Sequence, residues 1–216
     1  MKIELAELVK SAELGIFDWS GTISDDLDAV HNANNKTLQH FSAQPISLEK
    51  FGRNFGPIND AYRNLGITPP LKEINKIFKT YFKEESPKII PKAKETLERL
   101  HKRIKLAIIS AHPIEFLIRE AIDYGIFYLF DFVDGDIMDK GAAISMLIQY
   151  SDLIPEKAFY VGDTTYDILA AKAAGVISIA VLNDGKAYHS REQLESANPD
   201  FILEDISELE AILNLK

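Results

Sequence analysis

Four short apolar runs dominate what this chain can fold into. They are Leu14 to Phe17, Lys105 to Ser110, Ala158 to Asp163 and Val176 to Val181, and they read as strands with apolar side chains on both faces. Further runs, Asp200 to Leu203 and a weaker one around Phe132 and Val133, add candidate strands. Between them lie helical periodicities over Pro91 to Arg103, Pro113 to Tyr124, Lys140 to Tyr150, Thr165 to Ala174, Arg191 to Ala197 and Ile206 to Leu213. Strands that are apolar throughout must be covered on both sides, so strand–helix alternation predicts a parallel α/β sheet flanked by helices. The segment after the first strand is different. Near Asp26–Phe41, Ser47–Ala61 and Leu71–Glu84 it carries helical periodicity without a strand pattern, and it ends at Ser86 and Pro87. The expected organisation is therefore a core from residues 1–24 and 89–216, with a small all-helical insertion over 25–88.

Length and composition bound the remaining possibilities. A chain of 216 residues builds one buried core plus a small inserted unit. It has no cysteine, which excludes disulfides, thiolate metal sites and a cysteine nucleophile. Twenty-four Lys+Arg against 33 Asp+Glu give a net charge of -9, and no basic stripe offsets it. Neither nucleic acid nor an anionic membrane is an expected partner. Residues 1–14 read as a short amphipathic helix rather than a leader or anchor, because Glu4 and Glu7 interrupt the apolar positions. Cytoplasmic residence is the resulting expectation. Abundant Ile, Lys and Glu point to a heat-adapted source.

In a parallel sheet, ligands gather beyond the C-terminal strand ends. Those ends supply Asp18, Ser110 and Asp163, while Lys140 opens a helix. A single aspartate after a strand is often only a turn or a cap. Several such groups from distant parts of one chain form a candidate site.

The order and spacing of these residues identify a resemblance. Phe17-Asp18-Trp19-Ser20-Gly21-Thr22, Ser110, Lys140 and Val161-Gly162-Asp163-Thr164-Thr165-Tyr166-Asp167 resemble the four motifs of the haloacid dehalogenase-like hydrolases. The segment between the first two motifs resembles the helical cap of the phosphoglycolate phosphatase-like branch. The resemblance implies a Rossmann-like core and a phosphohydrolase with a small phosphorylated metabolite as substrate; a monomer and a homodimer both remain open as the expected state. It implies Asp18 as the nucleophile that forms an aspartyl-phosphate, with Ser110 and Lys140 as its catalytic companions. Mg²⁺ is the implied cofactor, held by Asp18, the backbone carbonyl of Ser20, Asp163 and Asp167. An oxygen-rich set of this kind suits that hard cation. Ser20, Gly21, Thr22, Ala111 and His112 are the implied substrate-facing positions in the core, and Arg53 is the candidate from the insertion.

Ser20 departs from the family pattern. Most phosphatases of this superfamily carry a second aspartate there, which protonates the leaving oxygen and then activates water. A hydroxyl cannot replace a carboxyl group as that acid near neutral pH, because its pKa is far too high. Three readings follow: a slow or unusual phosphatase, a C–P bond hydrolase, and a phospho-ligand or metal-binding protein with little turnover. Asp18-Trp19-Ser20-Gly21-Thr22 also resembles the first motif of phosphonoacetaldehyde hydrolases. Those enzymes need an imine-forming lysine in the cap, and the matching position, after Gly56, is Asn59. Trp19 is expected as a pocket wall or as packing, and His31, His40, His101 and His189 lack metal-like spacing. Tyr124, Phe127, Tyr128, Phe130 and Phe132 are expected to be mostly core.

Overall fold

The computed structural model describes residues 11–53, 62 and 70–213. The expected N-terminal helix therefore lies outside the described residues, as do Gly56 and Asn59. So does the side chain of Arg53.

The chain divides into two compact units, one running up to Asp25 and resuming at Ile89, the other spanning Asp26–Lys88. In the first unit lie the strands β1 (Leu14–Phe17), β4 (Lys105–Ile109), β5 (Phe132–Asp134), β6 (Ala158–Gly162), β7 (Ile177–Val181) and β8 (Phe201–Leu203). They form one sheet in the order β5-β4-β1-β6-β7-β8, and every pairing is parallel. The register sets Phe17 opposite both Ile108 and Val161, so β1, β4 and β6 end level with one another. After β1 the chain builds outward through β4 and β5, then returns to place β6 on the other flank of β1. That reversal opens a crevice at the C-terminal ends of the three central strands.

Side-chain alternation explains why both faces are covered. Phe17, Leu106, Ile108, Phe159 and Val161 point to one face, where they pack with Leu97 and Leu100 of α4 (Ala93–His101), Leu117 and Ala121 of α5 (Ile114–Asp123), and Leu209 of α9 (Leu209–Ile212). Leu14, Ile16, Ala107, Ile109 and Tyr160 point to the other. They meet Ile144, Leu147 and Ile148 of α6 (Lys140–Tyr150) and Ala171 of α7 (Thr165–Ala174). Leu194 of α8 (Arg191–Ser196) completes that side with Ile168 and Ala180. Each face thus removes a full set of branched side chains from water, the main favourable contribution to folding.

The second unit holds α1 (Leu27–His40), α2 (Leu48–Arg53) and α3 (Leu71–Phe82). Leu38, Tyr62 and Ile74 form its buried cluster, flanked by Phe41, Ala43 and Ile46. Two points differ from the sequence reading. Short strands β2 (Ser24–Asp25) and β3 (Lys88–Ile89) pair where the chain leaves and re-enters the core, a segment read as strand-free. Two-residue strands carry no periodicity that a sequence can reveal. Phe127, Tyr128 and Phe132 are exposed, contrary to their expected place in the core. The reason is topological, since β5 is the edge of the sheet, Phe132 begins it, and Phe127 and Tyr128 lead into it. Among the described residues no helix is long and apolar enough to cross a membrane.

Candidate active site

The three central strands each hand one polar group to the crevice. Asp18 follows β1, Ser110 follows β4 and Asp163 follows β6. The Asp18 N–H bonds to Val161 O at 2.9 Å, which continues the ladder one residue beyond the strand and holds the nucleophile candidate rigidly. The chain then turns sharply: Ile23 and Ser24 N–H both donate to Trp19 O, and Gly21 N–H donates to Ser24 O. Gly21 is required in this turn for two separate reasons. Its φ is +66°, and an added Cβ would lie 2.1 Å from Asp163 Oδ2. The site therefore depends on a missing side chain as much as on those present.

Asp163 and Asp167 sit where β6 passes into α7. Thr164 is the N-cap and accepts from Asp167 N–H, while Asp167 accepts from Thr164 N–H at 3.0 Å and from its hydroxyl at 2.6 Å. This capping box satisfies orphan helix donors and at the same time fixes the Asp167 carboxylate. Its other oxygen receives Lys140 Nζ at 2.6 Å and the Tyr160 hydroxyl at 3.3 Å. Lys140 also reaches Asp18 Oδ1 at 2.9 Å. A lysine at the first position of a helix opposes the helix dipole. The two carboxylates it bridges make that position favourable.

The electrostatics are those of crowded anions. Asp18, Asp163 and Asp167 are all buried, and one oxygen atom from each lies within 4.8 Å of the others. Burial raises the pKa of Asp18; Lys140 and the Ser110 hydroxyl pull it down and Asp167 pushes it up, leaving it above the ordinary value. Burial, then Asp167 and Asp18, hold Asp163 well above the ordinary range. For Lys140, burial works against the charge, but Asp167 and Asp18 outweigh it and the ammonium is retained. One ammonium faces three carboxylates. Asp163 Oδ2 accepts from Tyr188 N–H at 2.6 Å, whereas its buried Oδ1 accepts no hydrogen bond from the described residues. A buried carboxylate oxygen without a donor, among like charges, fits a divalent cation with oxygen ligands.

The remaining sequence-derived positions separate into two groups. Ser20 Oγ lies 3.2 Å from His112 Nδ1, so these two are brought together beside Asp18. Thr22 is fully buried with no partner for its hydroxyl among the described residues, and Ala111 is exposed. Arg53 belongs to the helical unit. Trp19 is packing rather than a wall: it is buried, stacks on Tyr124 with centroids 5.8 Å apart, and donates Nε1–H to Glu120. His189 is structural, its Nδ1 accepting from Thr165 N–H at 3.0 Å. Sequence reasoning missed Glu120, Tyr160 and Asn183. Glu120 carried a readable signal, a carboxylate on the apolar face of α5 one turn from Phe116. Asn183, which donates to Gly21 O and Thr22 O, carried none.

With this geometry in view, the comparisons with known proteins agree. The family model described as haloacid dehalogenase-like hydrolase matches residues 15–181. The phosphoglycolate phosphatase of Vibrio parahaemolyticus is 26% identical, over 89% of this chain and 92% of its own. That of Vibrio cholerae is 27% identical, over 93% and 96% respectively. Among solved structures, a haloacid dehalogenase-like family hydrolase from Streptococcus pneumoniae superposes with a TM-score of 0.82 at 23% identity, covering 93% of this chain and 98% of that one, and this likeness bears on the fold. The matched span contains Asp18, Ser110, Lys140, Asp163 and Asp167, and on that ground the chain belongs to the haloacid dehalogenase-like hydrolases.

Proposed function

We propose that the protein is a Mg²⁺-dependent phosphohydrolase acting on a small phosphorylated metabolite through an aspartyl-phosphate on Asp18. The observation that carries this reading is the buried trio Asp18, Asp163 and Asp167 bridged by Lys140. Asp18, Asp163 and Asp167 would hold the ion, and it would supply positive charge to offset the repulsion between a carboxylate nucleophile and a phosphoryl group.

The chain's own groups account for the rest. The Asp18 carboxylate is aimed by its backbone bond to β6 and attacks phosphorus in line with the leaving oxygen. Lys140 compensates charge that passes from Asp18 to the phosphoryl group, and the Ser110 hydroxyl donates to a phosphoryl oxygen. Asp167 holds Lys140 in place, and Thr164 and Tyr160 hold Asp167. Substrate selection is assigned to the helical insertion acting as a cap, with Arg53 as its candidate anion contact. The relatives named phosphoglycolate phosphatase place a small phosphorylated carboxylic acid among the first compounds to try.

The test is phosphate release by the purified protein with Mg²⁺, across a panel of phosphate monoesters and acyl phosphates. Hydrolysis of at least one compound is expected, with loss to background in Asp18→Ala and in buffer containing excess chelator. Turnover that survives Asp18→Ala would overturn the assignment of the nucleophile.

A further inference from the structure

Ser20 by itself cannot protonate a leaving group, but it does not stand alone. Its Oγ is 3.2 Å from His112 Nδ1, and His112 Nε2 is 3.5 Å from Glu120 Oε1. Glu120 is anchored in turn: its Oε2 accepts from Trp19 Nε1–H at 2.8 Å and from the Ser24 hydroxyl at 3.2 Å. Arg119 Nη2 also lies 3.6 Å from Oε1. His112 is 6% exposed and Glu120 2%, so the pair is shielded from solvent. Burial pushes the Glu120 carboxyl up, yet His112, Trp19 and Ser24 outweigh it and leave the group below the usual carboxylate range. Trp19 and Ser20 are consecutive residues of the loop that follows Asp18. The loop that presents the nucleophile therefore also clamps the far end of this chain of polar groups.

Resting on the phosphohydrolase reading above, we infer that Ser20, His112 and Glu120 form the proton relay for this site. In it His112 supplies and retrieves the proton, Ser20 carries it to the leaving oxygen, and Glu120 is the positioning residue. In the first half-reaction Asp18 forms its bond to phosphorus as the bond from phosphorus to the leaving oxygen breaks. The departing oxygen takes the Ser20 hydroxyl proton, and the proton on His112 Nδ1 replaces it. In the second half-reaction water attacks phosphorus and Asp18 departs as carboxylate. The proton from water passes to Ser20, and the proton it displaces returns to Nδ1. The sum is ester plus water giving alcohol plus phosphate, with relay and nucleophile restored. A serine between a histidine and the reacting atoms, with a carboxylate behind the imidazole, is an arrangement known to support proton transfer. Here the serine is a carrier, since Asp18 is the nucleophile.

The relay predicts dependence on the leaving group. An aliphatic alcohol must be protonated as it departs, whereas the carboxylate released from acetyl phosphate need not be. With Mg²⁺ present, we expect His112→Asn to lower the ratio of kcat on an alkyl phosphate to kcat on acetyl phosphate by about 10²-fold or more. Ser20→Ala, a smaller change, should lower the same ratio, and the double variant should lose no more than about the larger single loss. Ser20→Asp placed in the His112→Asn background should recover at least tenfold of the ratio. If His112 merely supported packing, both substrates would slow together and the ratio would hold, and that result would overturn the relay. Acetyl phosphate turnover that depends on Asp18, combined with a ratio indifferent to both variants, would leave the phosphohydrolase standing and remove the relay. Absence of Asp18-dependent release from either compound would remove both.

Discussion

At Gly21 the backbone and the chemistry make the same demand. A φ of +66° is costly for a residue with a Cβ, and here that Cβ would also intrude on Asp163 Oδ2. Gly21→Ala is expected to lower stability by roughly 1–3 kcal/mol, the range for a residue held in a sparsely populated backbone region. It should also reduce Mg²⁺-dependent hydrolysis strongly, because the clash displaces a carboxylate of the site. Chemical denaturation and a phosphate assay on one preparation would check both, and full activity with unchanged stability would contradict the argument. Glu120 shows the opposite relation between sequence and site. Read along the chain it is an acidic residue on an apolar helix face, an apparent mismatch. Only the approach of Trp19, Ser24 and His112, about a hundred residues away in sequence for the first two, turns it into a partnered group.

At the scale of elements, each site residue is placed by a rule of strand or helix geometry. β1, β4 and β6 are neighbours and end level, so the groups after them converge without any long loop. α7 adds Asp167 because an N-cap box holds its carboxylate beside the crevice. Thr164→Ala removes the capping hydroxyl and the 2.6 Å bond to Asp167 at once. A loss of about 1 kcal/mol is expected from the cap, measured by urea unfolding. The rate should fall too, since Asp167 orients Lys140. Wild-type activity in this variant would show that the capping box and the catalytic arrangement are independent. The elements were also the level best legible in the sequence. Apolar runs and helical periodicities located the main strands and helices, because burial on one or both faces leaves a pattern. The ribbon of β2 and β3 left none, and the exposure of Phe127, Tyr128 and Phe132 depended on which strand became the edge.

For the molecule as a whole, the site concentrates a charge imbalance that the surface spreads out. The chain carries a net charge of -9, and three of its carboxylates are buried around a single lysine. On the proposed reading, the protein without Mg²⁺ therefore carries a repulsion that the bound ion would relieve. Asp163→Asn keeps an acceptor for Tyr188 N–H while removing one buried charge. It is expected to raise Tm in chelator by roughly 2–4 °C, equivalent to about 1 kcal/mol at this size, while abolishing turnover. Millimolar Mg²⁺ should raise the Tm of the wild type and have little effect on the variant. A variant less stable than the wild type in chelator would show that the carboxylate's other interactions outweigh the repulsion. The sequence alone determined the α/β class, the helical segment between the first strand and the rest, and the polar residues at the strand ends. These are set by local periodicity and by the residue types that end a strand. The tertiary structure decided what lies beside Ser20. No periodicity links Ser20, His112 and Glu120, because their proximity follows from strand order and register, and these arise only when distant segments pack into one sheet.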